Sequence, residues 1–180
     1  MPGSITNIAG YRFVDLDDCE RLQAIFDSLC QDLGLLGTIL LAKEGMNVFL
    51  AGTPAAIEGF VSFLETDDRF TGIPLKRSFT DYQPFNRMNV RLKQEIISVG
   101  IDRIRPVDFT GETIEPKAFK AMLDKGSLVH VLDTRNDYEL RLGTFDNAID
   151  LNLETFRAFP EAIQNLPESM NCLLYTSPSP

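Results

Sequence analysis

A change of hydrophobic period, made twice between residues 11 and 79, constrains this chain more than any other feature. Tyr11-Arg12-Phe13-Val14 alternates weakly and predicts a strand, and Asp17 stands as the N-cap of a helix. In that helix Leu22, Ile25, Phe26, Leu29 and Leu33 recur at three- and four-residue spacing along one face. Gly34 ends the helix and Gly37 opens a strand at 38–42. Lys43-Glu44-Gly45 is then a turn into a strand at 46–51, too short to permit anything but antiparallel pairing. Thr53 with Pro54 is an N-cap followed by a first-turn proline, and Ile57, Phe60, Val61 and Leu64 form the stripe of a second helix. Residues 75–79 supply a fourth strand. The order strand, helix, strand, strand, helix, strand predicts an α+β, ferredoxin-like (βαββαβ) domain over residues 5–100, its helices on one face of an antiparallel sheet. Within it, residues 88–99 alternate and then close on Ile96, Ile97 and Val99, so one or two further strands should extend or edge that sheet.

Residues 101–115 mix charges with Pro106 and Gly111, keep no period and read as a linker. Pro116 can then open a helix carrying Phe119, Met122 and Leu123, and 128–132 is an unbroken apolar run suited to a buried parallel strand. Residues 156–166 predict another helix, interrupted early by Pro160. Helix alternating with strand is the signature of an α/β unit, expected over 116–172. At 173–180 the low-complexity Leu-Leu-Tyr-Thr-Ser-Pro-Ser-Pro either is a disordered end or resembles translated vector or adaptor sequence. The second alternative is favoured, because about 57 residues make only half of a parallel sheet and leave its edges open.

The 180 residues are 44% hydrophobic and 24% charged, which excludes global disorder and supports real cores. No apolar run reaches the ~18 residues of a membrane helix, and residues 1–10 lack a signal peptide's basic start and apolar stretch. A soluble cytoplasmic protein is expected. Cys19, Cys30 and Cys172 form neither a C-x-x-C pair nor an even set, so no disulfide framework or zinc ribbon is indicated. The net charge of −9 by itself disfavours a phosphate-rich partner, but its distribution does not: residues 76–105 hold seven basic and three acidic side chains, net +4, leaving −13 elsewhere.

Cys19 and Cys30 flank the apolar stripe of the first helix, where burial is the default for a free thiol. His130 is the single histidine, within an apolar strand, so any Cys-His or Ser-His-Asp chemistry would have to pass through it. Asp17-Asp18 and Asp67-Asp68 sit where carboxylates cap helices or solvate loops. No phosphate-binding glycine loop and no metal-ligand spacing appears, so neither a metal nor a nucleotide cofactor is indicated. Lys76, Arg77, Arg87, Arg91 and Lys93 are interleaved with Phe79, Tyr82 and Phe85, a mixture that fits RNA contact or, equally, a solvated strand face with inward aromatics. The strongest local signal is Asp133-Thr134-Arg135, followed by Tyr138-Glu139 and Gly143-Thr144-Phe145. It places Asp133 and Arg135 at the carboxyl edge of a parallel strand, where α/β ligand sites gather. The pair either faces an anion or supports its own loop.

Asp133-Thr134-Arg135 with Tyr138-Glu139, Gly143 and Ala148-Ile149 resembles the opening half of a rhodanese domain. Leu41-Ala42-Lys43-Glu44-Gly45-Met46-Asn47, Gln83-Pro84-Phe85-Asn86-Arg87 and Phe156-Arg157-Ala158-Phe159-Pro160 resemble the rhodanese-like tRNA uridine hydroxylases in particular. The resemblance implies an oxidoreductase that hydroxylates C5 of the wobble uridine of tRNA with molecular oxygen as co-substrate. It also implies a ferredoxin-like domain followed by a rhodanese-like domain, incomplete here. The family's essential thiol lies in a Cys-Thr-Gly-Gly-Ile-Arg-Cys loop that this chain lacks. Cys172 precedes Leu173-Leu174-Tyr175 rather than following it, so no catalytic residue is assigned and this chain is expected to be inactive. The alternatives are a rhodanese-type sulfurtransferase and a non-catalytic module binding RNA or protein; the assembly state stays open.

Overall fold

The computed structural model describes residues 4–96, 114–126, 130–166 and 172–175, which fall into two units. The expected linker at 101–115 lies outside them save for Ile114 and Glu115, as do 97–99 and 128–129 of two expected strands.

The first unit runs β1 (Ile5–Phe13), α1 (Cys19–Leu33), β2 (Leu36–Ala42), β3 (Gly45–Gly52), α2 (Pro54–Leu64), β4 (Leu75–Thr80) and β5 (Met88–Leu92). Its sheet has the order β4-β1-β3-β2-β5, antiparallel except for the parallel pair β2 and β5. The βαββαβ order expected from the periodicity is therefore present, and β5 edges the sheet beside β2.

α1 buries Leu22, Phe26 and Cys30, spaced one turn apart. Its N-cap is Asp18 rather than Asp17, and Asp18 makes no capping bond because its carboxylate is engaged by Arg69. Gly34 ends α1 in the left-handed region at φ 65°, which lets its own N–H reach Gln31 O at 3.1 Å and the Leu35 N–H reach Cys30 O at 2.9 Å. At α2 the Thr53 hydroxyl accepts from Ala56 N–H at 3.2 Å, with Pro54 in the first turn. Gly37 is required for a different reason: at φ 140°, a Cβ there would stand 2.0 Å from Phe49 O across the β2–β3 pair.

The register puts Ile8, Ile39, Leu41, Val48, Leu50 and Val90 on the face covered by α1 and α2, all buried. Phe26 is the hub between the helices, with ring centroids 5.9 Å from Phe60, 6.1 Å from Phe63 and 5.9 Å from Phe70. Each buried ring contributes about 1.5–3 kcal/mol through area removed from water.

The second unit contains α3 (Pro116–Asp124), β6 (His130–Asp133), α4 (Asp137–Leu140), β7 (Ile149–Asp150), α5 (Phe159–Ala162) and β8 (Cys172–Tyr175). The strands form a parallel sheet in the order β7-β6-β8. Two expectations are corrected. The helix anticipated at 156–166 is three short pieces, 3₁₀ at Phe156–Ala158, α5, and 3₁₀ at Ile163–Asn165, since Pro160 has no N–H to give to a continuous ladder. The segment from Leu173 was expected to be non-native or disordered; of these two, disorder does not hold for Leu173, Leu174 and Tyr175, which pair with Val131, Leu132 and Asp133 along the open edge of β6.

Candidate functional site

β6 is the central strand of its sheet, so its last residue, Asp133, sits at the carboxyl edge between β7 and β8, opposite Asp150 and Tyr175. The carboxylate is 0% exposed and fully engaged. Arg135 donates to it through Nε at 3.0 Å and Nη2 at 2.6 Å, the Arg135 backbone N–H donates at 3.2 Å, and the Thr144 hydroxyl donates at 2.8 Å. Arg135 Nη2 also donates to Gly143 O at 2.8 Å. One guanidinium thus ties the end of β6 to the far side of the loop, a two-pronged geometry that lysine cannot reproduce. Burial raises the Asp133 carboxyl, but the bonds from Arg135 and Thr144 outweigh it and hold the group below the usual carboxylate range. Between these anchors, Asn136 and Glu139 form a capping box on α4, and Asp137 N–H donates to Leu153 O at 2.8 Å.

The five basic candidates of the first unit divide between the faces of its sheet. Lys76 lies opposite Ala9, and Arg91 lies opposite Leu40, on the face without helices. Lys93 continues the alternation just past β5, its N–H on Leu41 O at 2.8 Å. Arg77 lies opposite Ile8 on the helix-covered face and is paired with Glu58 of α2. Arg87 is exposed at the end of the β4–β5 connection, where its carbonyl accepts from Gly37 N–H at 3.0 Å. The aromatics singled out with them do not share the Lys76 face: Phe79 lies opposite Thr6 on the helix side, and Tyr82 and Phe85 are in the connection. Tyr11, Phe13 and Phe49 are on it instead, a placement that depends on cross-strand register as well as on local alternation.

Burial and then nearby Asp27 push the Cys30 thiol up to about 12, while burial and then Asp18 raise Cys19, whose Sγ donates to Leu16 O at 3.4 Å. Neither is an activated nucleophile. His130 is exposed at the amino end of β6, the opposite end from Asp133. Among the described residues no three His, Cys, Asp or Glu side chains gather as a metal site, and no helix is long and apolar enough to cross a membrane. An open groove of about 590 Å³ at the end of α1, lined by Asp27, Gln31, Leu36 and Met88 among others, brings together no pair of catalytic groups.

The family described as UPF0176 acylphosphatase like domain matches residues 5–96. Curated relatives carry the name tRNA uridine(34) hydroxylase, among them the three that follow. That of Cupriavidus pinatubonensis is 47% identical over 89% of this chain and 58% of its own length. That of Cupriavidus necator is 46% identical over 88% and 58%, and that of Thiobacillus denitrificans 46% identical over 89% and 67%. The chain thus spans 58% of the length of the two Cupriavidus relatives. Among solved structures, the dark state of the BLUF protein BlrB aligns with a TM-score of 0.43 at 15% identity, covering 51% of this chain and 74% of that one, a likeness too slight to bear on function. By its family match and its identity to these relatives, the chain belongs to the tRNA uridine(34) hydroxylase family.

Proposed function

We propose that this chain is the amino-terminal portion of an enzyme that hydroxylates C5 of the wobble uridine of tRNA, with molecular oxygen as co-substrate, in the cytoplasm. The observation that carries the proposal is identity of 46–47% over 88–89% of the chain to proteins named for that reaction. In this reading the second unit is the opening of a rhodanese-like domain. The parallel β7-β6-β8 sheet and the Asp133-x-Arg135 loop at its carboxyl edge support that assignment. Asp133 and Arg135 then act as positioning residues for the loop, and a thiol held by main-chain donors has to come from sequence that this chain does not contain. Buried Cys30 and the hydrogen-bonded Cys19 do not replace it.

The test is nucleoside mass spectrometry of tRNA from a hydroxylase-deficient bacterium supplied with either the 180-residue chain or the same chain extended to its relatives' length. Hydroxyuridine at the wobble position is expected from the extended protein alone. Its formation by the 180-residue chain would refute the inactivity assigned to it, and its absence with both would refute the activity.

A further inference from the structure

Both helices of the first unit pack on one face of its sheet, and the other face has a composition of its own. The central strands β1 and β3 present Tyr11, Phe13 and Phe49 there, with the Tyr11 and Phe13 rings edge-on at 5.4 Å. Tyr11 is 50% exposed. It lies opposite Asn47, two residues from Phe49, so the two residues occupy diagonal positions, whose backbones in such a pair stand about 7–8 Å apart. Lys76 on the neighbouring β4 borders them on one side; on the other, across β2, stands Arg91 on β5, with Lys93 just past the end of that strand. Among the described residues no Asp or Glu occupies a strand position of this face; carboxylates appear past the strand ends, at Glu44, Asp81 and Glu95. The helices carry the opposite sign, with Glu20, Asp27 and Asp32 on α1 and Glu58 on α2.

We infer that this face binds unpaired RNA, with bases stacked on Tyr11 and Phe49 and phosphates held by Lys76, Arg91 and Lys93. In a chain of net charge −9, a carboxylate-free strip with cations on both borders complements a polyanion. The exposed Tyr11 ring and the half-buried Phe49 ring between those cations can take the face of an unstacked base, which a duplex keeps within its own stack. The inference rests on the tRNA reading only for which RNA is bound in the full-length protein.

The test is fluorescence anisotropy of the 180-residue chain with a labelled single-stranded RNA of about 10 nucleotides, a length suited to one small module, against a duplex of equal length. The single strand is expected to bind more tightly, with log K falling against log salt at a slope of about −2, from three cations at about 0.7 each. Tyr11→Ala, at an exposed position that tolerates truncation, is expected to lower affinity about fivefold or more, and Tyr11→Phe to restore it. Equal binding of duplex and single strand, an unchanged affinity in folded Tyr11→Ala, or displacement of RNA by a polyglutamate peptide at equal charge would each overturn the inference. Hydroxylation by the extended protein separates the two readings. Wild-type turnover and KM with Tyr11→Ala overturn the face and leave the enzyme reading standing. No turnover by the unsubstituted extended protein overturns the enzyme reading, and the binding data still decide the face.

Discussion

Lys76 and Arg77 are adjacent in β4 and leave it on opposite faces of the sheet: Arg77 reaches Glu58 on α2, while Lys76 stands beside Ala9 on the face that carries Tyr11 and Phe49. Two neighbouring cations that look equivalent in sequence therefore have different work. Lys76→Ala is expected to weaken RNA binding and to lower the magnitude of the salt slope by about 0.7, the loss of one phosphate contact. Arg77→Ala should leave slope and affinity unchanged, and because its pair with Glu58 is solvent-exposed it should leave the melting curve nearly so. Salt titrations of both variants check this; equal losses would mean that the assignment of faces is wrong.

Arg69, in the segment after α2, donates to Asp67 at 2.7 Å and to Asp18 at 2.5 Å, and so ties the start of α1 to the end of α2. Its hydrogen bonds are the leading reason that both carboxyls lie below their ordinary range. Arg69→Met is expected to cost about 1–2 kcal/mol near neutral pH, a charge-assisted value reduced for partial exposure. The sign with pH follows from the lowered native carboxyls: the stabilisation is complete above the unfolded value of about 3.9 and disappears as pH falls through the depressed native values. Urea denaturation at neutral pH and near pH 2 should therefore show a gap between wild type and variant that closes in acid.

The first unit was legible because each of its signals is local. The stripe of Leu22, Phe26 and Leu29 marks α1, Thr53-Pro54 marks the start of α2, and the pairing of β2 with β3 follows from the short turn at Lys43 and Glu44, with Gly45 already in β3. The choice of Asp18 over Asp17 was not legible, since it depends on Arg69, 51 residues away. Nor was the division of Lys76 from Arg77, because period two separates neighbours but does not say which face the helices cover. Asp133 and Arg135 were found as a pair from their spacing at the end of an apolar run. That Gly143 and Thr144 complete the cluster required the path of the loop, which no periodicity encodes. In the second unit, Pro160 signalled an interruption, but the lengths of the resulting pieces, two 3₁₀ turns about one α turn, are finer than a hydrophobic period resolves.

Cys30 is 0% exposed with its thiol raised to about 12, and burial raises Cys19 as well. Thiol alkylation of the folded chain at pH 8 should leave Cys30 unmodified until urea opens the first unit, since only the thiolate reacts. A raised native value stabilises the fold below the unfolded thiol value of about 8.5, and that contribution is lost as pH rises toward the native one. Stability should accordingly decline above about pH 8.5, and Cys30→Ala should lessen the decline; peptide mapping and alkaline melts check both.

Asp133 is the residue on which the second unit's loop depends, because three separate groups, the Arg135 guanidinium, the Arg135 N–H and the Thr144 hydroxyl, converge on one buried carboxylate. Asp133→Asn keeps the shape but removes the carboxylate charge that the guanidinium grips. Breaking a buried pair in this way costs about 3–5 kcal/mol. Thr144→Val removes a single hydroxyl and should cost about 1 kcal/mol. Because the Arg135 bond to Gly143 O holds the far side of the loop, loosening it should expose the peptide bond after Arg141, next to Leu142, which is already 91% exposed. Limited trypsin digestion is therefore expected to cut after Arg141 fastest in Asp133→Asn, more slowly in Thr144→Val and slowest in the wild type. Arg135→Lys should fall near Asp133→Asn, since an ammonium cannot span the carboxylate and Gly143 O together. Identical cleavage rates in all four proteins would show that the loop is held by something other than this cluster.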